Sequence, residues 1–436
     1  MSDYIYILES HLSPDQNRVL EEVMAAAGEA NLNLFLTGGA MRDMLAGFRI
    51  RDLDFLVEGA ALKLARTVAG RSGATIVSED QNRKSAELEF PAGVTAQIAM
   101  SRQERYPRGG GKPQVSPATI QEDLRGRDFT CNAIALSLNK TSRGLLLDPL
   151  NGLADIERHE LRAVSAYGFY DDPTRLLRLV RLGVRLGFAI EERTAMQVAN
   201  AREAEVEKTI APAVLGAELK LIGTEDGAAA IVEALAQAGL LALFSPALAQ
   251  GHAYRAGLTK FEKIARLLPD SAETRTARLG PFLCALTEKL SPREKQALAK
   301  YLGFSKAVTN QWLQLEARSK KLASVLRSPR LRKPSQVYHA ISAAAPEQVM
   351  FLLYASPLKP VQDRLRAYFQ KYLPAVEEIT PEEWATVEAK PSRQQKAREE
   401  FIANRLDRRP PRKPEPELPP PPVPEPSMMR RGRQMG

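Results

Sequence analysis

Cysteine, histidine and long apolar runs are all scarce in this 436-residue chain. Two cysteines, Cys131 and Cys284, cannot build a disulfide framework, and with four scattered histidines they make no zinc-ligand cluster. No His-Asp dipeptide occurs, which argues against an appended metal phosphohydrolase built around that pair. No stretch approaches the ~20 apolar residues of a membrane helix. The start, MSDYIYILES, lacks a basic segment ahead of an apolar one. No secretory signal is therefore expected, and the chain reads as cytoplasmic. Gly109-Gly110-Gly111-Lys112 lacks the glycine–lysine spacing of a Walker phosphate loop.

What is present is a core and an uneven charge. Hydrophobic residues make up 44% of the chain, enough for a sizeable interior. The net charge is +9, which suggests a polyanionic partner. Residues 386–436 hold twelve Lys/Arg against seven Asp/Glu, and 11 of the 30 prolines. A disordered, basic, Pro-rich tail is expected there. At ~150 residues per domain, the length fits about three units.

Residues 1–150 read as a mixed α/β head. Helices are expected over Asp15–Ala30, Ala40–Ala46 and Ala60–Ser72. Strands are expected at Leu34–Thr37, Asp52–Val57, Ala74–Ser78, Ser85–Phe90, Thr95–Ala99 and Leu145–Leu147. Gln103–Pro117 is rich in Gly, Pro and basic residues and reads as a loop that could close over a ligand. Asp128–Leu138 has apolar residues at helical spacing. From about Thr174 the pattern is almost wholly helical, giving a neck over 151–215 and a body over 216–385.

The segment LFLTGGAMRDMLAGFRIRDLDFLVEG, residues 34–59, is the most informative. A strand enters Gly38-Gly39 and leaves as a helix, so a phosphate can approach the backbone at the helix's positive end. Asp52 and Asp54 lie two apart on a strand and share one face, while Leu53 and Phe55 take the other. Two carboxylates on one face repel unless a cation sits between them. Mg²⁺ suits such a pair because it accepts carboxylate and phosphate oxygens together.

Gly38-Gly39-x-x-Arg42-Asp43, then Gly47 and Asp52-x-Asp54, resembles the signature of the tRNA nucleotidyltransferase/poly(A) polymerase family, bacterial CCA-adding class. The resemblance continues in order. Asp123-Leu124-x-x-Arg127-Asp128-Phe129-Thr130-Cys131-Asn132-Ala133 is similar to the family's Arg-Arg-Asp-Phe-Thr-x-Asn-Ala block, and Asp148-Pro149-Leu150-x-Gly152 follows. Asp171-Asp172-Pro173-Thr174-Arg175-Leu176-Leu177-Arg178-Leu179-Val180-Arg181 matches the element that reads the nucleobase. It implies a polymerase-β-like head followed by helical neck and body. It also implies Mg²⁺ on Asp52 and Asp54, as the catalytic pair. Nucleotide contacts would come from Gly38, Gly39, Arg42, Arg127, Asp172, Arg175, Arg178 and Arg181.

Arg175, Arg178, Arg181 and Arg185 fall within about a 120° sector of a helix, with no acid on that face to compensate them. An anion is expected near them. The implied activity transfers CMP and AMP from CTP and ATP to a tRNA 3′ end, with the body binding RNA. A poly(A) polymerase or A-adding enzyme is the alternative. Two positions depart from the family pattern: Gln97 stands where an acid is usual, and Gly126 where an Arg is usual. They keep a non-catalytic RNA-binding relative open, and Glu87 or Glu89 as substitute acids.

Overall fold

The computed structural model describes residues 4–91, 93–250, 254–269, 272–387 and 393–408. The head contains α1 (Tyr4–His11), α2 (Pro14–Glu29), β1 (Asn33–Thr37), α3 (Gly38–Leu45), β2 (Leu53–Glu58) and α4 (Ala61–Ser72). It continues through β3 (Thr75–Asp80), β4 (Ser85–Glu89), β5 (Thr95–Met100), β6 (Arg102–Arg105), β7 (Gln114–Pro117), α5 (Ile120–Arg125), β8 (Ala135–Ser137) and β9 (Leu146–Leu147). One seven-stranded sheet runs in the order β3-β4-β5-β2-β1-β8-β9. β2 and β5 pair in parallel, and the other neighbours pair antiparallel.

Strand alternation sorts the sheet's two faces. Leu36, Leu53, Phe55, Val57, Ala96 and Ile98 join Val19, Leu20 and Val23 of α2 and Leu64 and Val68 of α4 in the main core. Phe35, Leu56 and Ala99 point the other way, under Ile120 and Leu124 of α5. Asp52 and Asp54 share a parity with Leu56, so the pair belongs to the α5 side. Thr119 caps α5 reciprocally with Glu122, which fixes where the chain turns into the helix.

Two segments differ from expectation. Gln103–Pro117 is not one loop, because β6 and β7 form a hairpin from Arg102↔Pro117 to Arg105↔Gln114. Polar strands without apolar alternation leave no signal, and the Gly-rich tip dominates the composition. Asp128–Leu138 is not an α-helix. It holds a 3₁₀ turn, Thr130–Asn132, and then β8. Every residue from Phe129 to Leu138 is buried, so the segment has no solvent face and its apolar spacing carries no period.

The expected neck, 151–215, holds α6 (Gly152–Glu157), β10 (Glu160–Leu161), α7 (Gly168–Asp171), α8 (Thr174–Leu186), β11 (Ala189–Ile190), α9 (Glu192–Glu203) and the start of α10 (Pro212–Thr224), and α11 (Ala228–Gln237) follows. β10 and β11 form a short parallel pair where α8 returns to the head. The remaining elements are helical. The expected tail from 386 is corrected over Gln394–Asp407, which is a helix. Asp407 accepts from the backbone N–H and hydroxyl of Ser335 at 3.0 and 2.8 Å, and Arg405 pairs with Glu383 at 2.7 Å. Residues 409–436, with all but one of the prolines of the expected tail, lie outside the described residues.

Candidate active site

The site starts at the β1–α3 turn. Gly38 has φ +62°, a left-handed conformation that glycine adopts without strain. A Cβ on Gly38 or Gly39 would come within 3.1 Å of Asp54 Oδ2, so both glycines leave room for that carboxylate. The Gly39 N–H donates to Asp54 Oδ2 at 2.8 Å. This amide is thereby spent on orienting the aspartate. Asp52, one residue before β2, accepts from the Thr95 hydroxyl at the start of β5.

Burial raises the Asp54 pKa to about 6, and the negative charge of Asp52 adds to it. The Gly39 N–H and the positive charges of Arg127 and Arg42 pull in the other direction without restoring an ordinary value. The pair is thus undercompensated. Among the described residues no three His, Cys, Asp or Glu side chains gather to hold a metal. Two carboxylates beside space for a phosphate are what Mg²⁺ takes, since it fills its remaining positions with substrate oxygens and water. The residues fit that ion.

Gln97 pairs in register with Asp54, on the neighbouring strand, and Glu87 pairs with Gln97 one strand further. At about 4.8 Å per strand, Glu87 lies roughly 10 Å from Asp54, too far to share a cation with it. Glu87 instead accepts from the Ser78 hydroxyl at 2.9 Å. Glu89 faces Thr95 and is exposed. Neither acid takes the place left by Gln97.

Arg42, in the second turn of α3, is buried. Its Nε and Nη2 donate to Asp43 Oδ1 at 2.9 and 2.7 Å, and its Nη1 donates to Asn132 Oδ1 at 2.8 Å. Two relays run from it to α8. In one, the Asn132 amide donates to Asp128 at 2.9 Å, and Asp128 accepts from Arg178 Nε at 2.8 Å. In the other, Asp43 Oδ2 accepts from Arg185 at 2.6 Å. Burial alone would raise the Asp128 carboxyl. The charges of Arg178 and Arg175 and the Asn132 hydrogen bond override that and hold it well below the usual range.

Arg127 donates to Asp123 at 2.7 Å, and Asp123 also accepts the Arg102 N–H at 2.8 Å. Arg175 reaches from α8 to the carbonyls of Arg127 and Gly126 at 3.2 and 3.1 Å. Asp172 caps α8 by accepting the Thr174 N–H at 3.1 Å, and its other oxygen lies 4.0 Å from Arg175 Nε. The residues expected to read the base therefore sit against the backbone of the residue expected to contact triphosphate. The hairpin tip closes the same corner, because Gly110 N–H donates to the Asp171 carbonyl at 3.1 Å.

Arg181 is not gathered with the others. It is buried, and it pairs with Glu218 at 2.6 Å and Glu225 at 3.4 Å. Its guanidinium ties α8 to Glu218 of α10 and to Glu225 just beyond that helix. The expectation of uncompensated arginines on α8 is corrected. Asp128, Glu218, Glu225 and Asp43 supply the missing charge from elsewhere in the chain. Spacing within the helix could not show them. Asp43, Asp123, Thr95 and Arg51 were also missed as partners, although Asp43 and Asp123 lay within the recognised motifs. A cavity of about 440 Å³ lies in the body, lined by Lys260, Lys295, Trp312 and Tyr354 among others, and by none of the residues above.

Residues 34–162 match the family model described as the poly A polymerase head domain. An A-adding tRNA nucleotidyltransferase of Geobacter sulfurreducens is 26% identical over 380 residues, covering 85% of this chain and 42% of that protein. A CCA-adding enzyme of Bordetella pertussis is 31% identical over 245 residues, covering 53% of this chain and 62% of that one. The chain spans a quarter to under half of the length of the first curated relatives it matches. A Thermotoga maritima CCA-adding enzyme, solved with tRNA, shares the fold at TM-score 0.51 and 23% identity, over 93% of this chain and 95% of that one. Residues 34–162 thus form a poly A polymerase head domain, and the chain as a whole shares the fold of that CCA-adding enzyme.

Proposed function

We propose that the chain is a template-independent nucleotidyltransferase that extends tRNA 3′ ends with CMP and AMP, from CTP and ATP. The observation that carries this is the undercompensated Asp52/Asp54 pair at the Gly38-Gly39 turn, with the charge of Arg127 acting on Asp54 and Arg175 set against the Arg127 backbone. The 3′ hydroxyl would give up its proton, its oxygen would bond to the α-phosphorus, and the bond to the β-phosphate would break, releasing pyrophosphate. Mg²⁺ held by Asp52 and Asp54 would polarise the phosphoryl group and favour the ionised hydroxyl. Arg42 and Arg127 would meet the triphosphate, each held in place by its own carboxylate partner. Gly38 and Gly39 would let the phosphates approach. Asp172 would accept from an exocyclic amine, and Arg175 would donate to ring acceptors. Arg178 would hold Asp128 and brace that pair. The helical body would carry the RNA, in a water-filled, salt-sensitive contact.

Addition of A alone is the second reading, favoured by the relative that spans most of this chain, which is named A-adding. Purified protein with Mg²⁺, tRNA ending before CCA or ending in CC, and each nucleotide separately distinguishes the two. CTP incorporation on the shorter tRNA supports full CCA addition. ATP incorporation on the CC-ended tRNA alone supports the second reading. No incorporation of either nucleotide would sink both and leave an RNA-binding role.

A further inference from the structure

Arg51 immediately precedes Asp52, yet its guanidinium is engaged far away in sequence. Its two terminal nitrogens donate to Glu225 at 2.6 Å and to Asp226 at 2.8 Å, both just beyond the C-terminal end of α10. Glu225 is buried and is shared, with Arg181 at 3.4 Å and Arg185 at 3.7 Å beside it. Burial alone would raise its carboxyl pKa, but the charges of Arg185, Arg51 and Arg181 lower it instead. Asp226 also pairs with Arg278. None of this is needed to place Asp52 or Asp54 on the sheet, which Leu53, Phe55 and the β2–β5 register already do.

The arrangement matters because of what surrounds the two aspartates. Their hydrogen bonds are a backbone N–H at Asp54 and a hydroxyl at Asp52, and a free guanidinium one residue away would compete with a metal for the two carboxylates. We infer that Glu225, helped by Asp226, is a positioning residue for the two-aspartate site. It anchors Arg51 on the body side and so leaves Asp52 and Asp54 to a divalent cation. The identity of that cation as a catalytic metal rests on the function proposed above. The anchor itself rests on the ion pairs.

The test is Mn²⁺ binding to the full chain at neutral pH, without nucleotide or RNA, read from the spectrum of free Mn²⁺ by electron paramagnetic resonance. Asp54→Asn identifies the signal that belongs to the site. Glu225→Gln should weaken that binding about 10-fold, as loss of a supporting partner typically does. Arg51→Gln should stay within about 2-fold of the parent, and the Glu225→Gln/Arg51→Gln double variant should recover to within about 3-fold. If Glu225→Gln does not fold, Asp226→Asn with and without Arg51→Gln runs the same cycle at a more exposed carboxylate. Its single variant should weaken binding about 3-fold, and the double variant should restore it.

Failure of the single variant to weaken binding, or failure of Arg51→Gln to rescue it, overturns the inference. So does a parent protein with no Asp54-dependent Mn²⁺ signal. Thermal melts of each variant separate a loss of fold from a loss of metal affinity, since removing Arg51 also relieves the charge that Glu225→Gln strands. A parent that binds Mn²⁺ through Asp54 but adds no nucleotide defeats the transferase reading and leaves the anchor intact.

Discussion

The head and the neck each bring charges together, and they treat them oppositely. On α8 the arginines are matched: Arg178 with Asp128, Arg181 with Glu218, Arg185 with Asp43. At the β1–α3 turn Asp52 and Asp54 face each other's charge with a backbone N–H, the Thr95 hydroxyl and more distant arginines in reply. A cluster whose charges balance internally holds structure together. A cluster that does not balance is waiting for something the chain does not provide. Charge density alone, which is high in both places, does not separate the two.

The sharpest way to break this contrast is Asp54→Asn. Nucleotide addition should fall by about 10³-fold or more, since an electrostatic centre of the reaction is lost. Metal-free stability should move the other way. The Asp54 carboxyl rises from 3.8 to about 6 on folding, so its ionisation opposes folding once pH climbs through that window. The variant should therefore melt higher than the parent at pH 8, and the difference should shrink toward pH 4. Thermal melts in chelator across pH would show it. A variant less stable at pH 8 would mean that the pair is balanced after all.

Asp128→Asn probes the matched side. It removes the partner of Arg178, whose side chain is partly exposed, and should cost about 1–3 kcal/mol at neutral pH, measured by denaturant unfolding. The Asp128 carboxyl is depressed in the folded state, so its contribution is present above pH ~4 and is lost as acid protonates it. The parent and the variant should converge at low pH. A gap that persists there would point to packing instead of charge.

Asp172→Ala should change choice more than stability. Discrimination between ATP and CTP, as a ratio of kcat/KM, should shift by about 10–100-fold, the worth of one base-reading pair. Equal losses for both nucleotides would assign Asp172 to capping α8 alone. The smallest effect is expected for Gln97→Glu, which places a third carboxylate in register beside Asp54. Metal-free stability at pH 8 should drop by about 0.5–1 kcal/mol from like-charge repulsion across the strands, and Mg²⁺ should recover it. No recovery would mean that the added acid does not reach the metal.

Much of the head was legible because its strands alternate. Leu53 and Phe55 against Asp52 and Asp54 is a pattern that only a two-faced strand makes, and the sheet register follows it. The segment around Cys131 was not legible, because burial on every side erases the difference between helix and strand periods. The hairpin at 102–117 was hidden by polar strands around a glycine-rich tip. For the arginines of α8, the helix face could be read but the partners could not. Asp43 is 142 residues from Arg185, and Glu225 is 174 from Arg51. Only the fold shows which distant acid meets which base. The helix at Gln394–Asp407 was masked by the proline-rich sequence that follows it.

The strand order also sets a timetable for synthesis. β1 sits between β2 and β8, and β9 closes that edge at Leu147. A chain leaving the ribosome exposes this whole sheet, with Asp54 on it and Asp52 at its end, before α8 has emerged. Arg178 and Arg185, which hold Asn132 and Arg42 through Asp128 and Asp43, arrive some 30 residues later. Glu225, the anchor of Arg51, comes later still. The newborn head thus has its acids before the bases that steady its buried Arg42. Its assembly ends only when the neck folds back upon it.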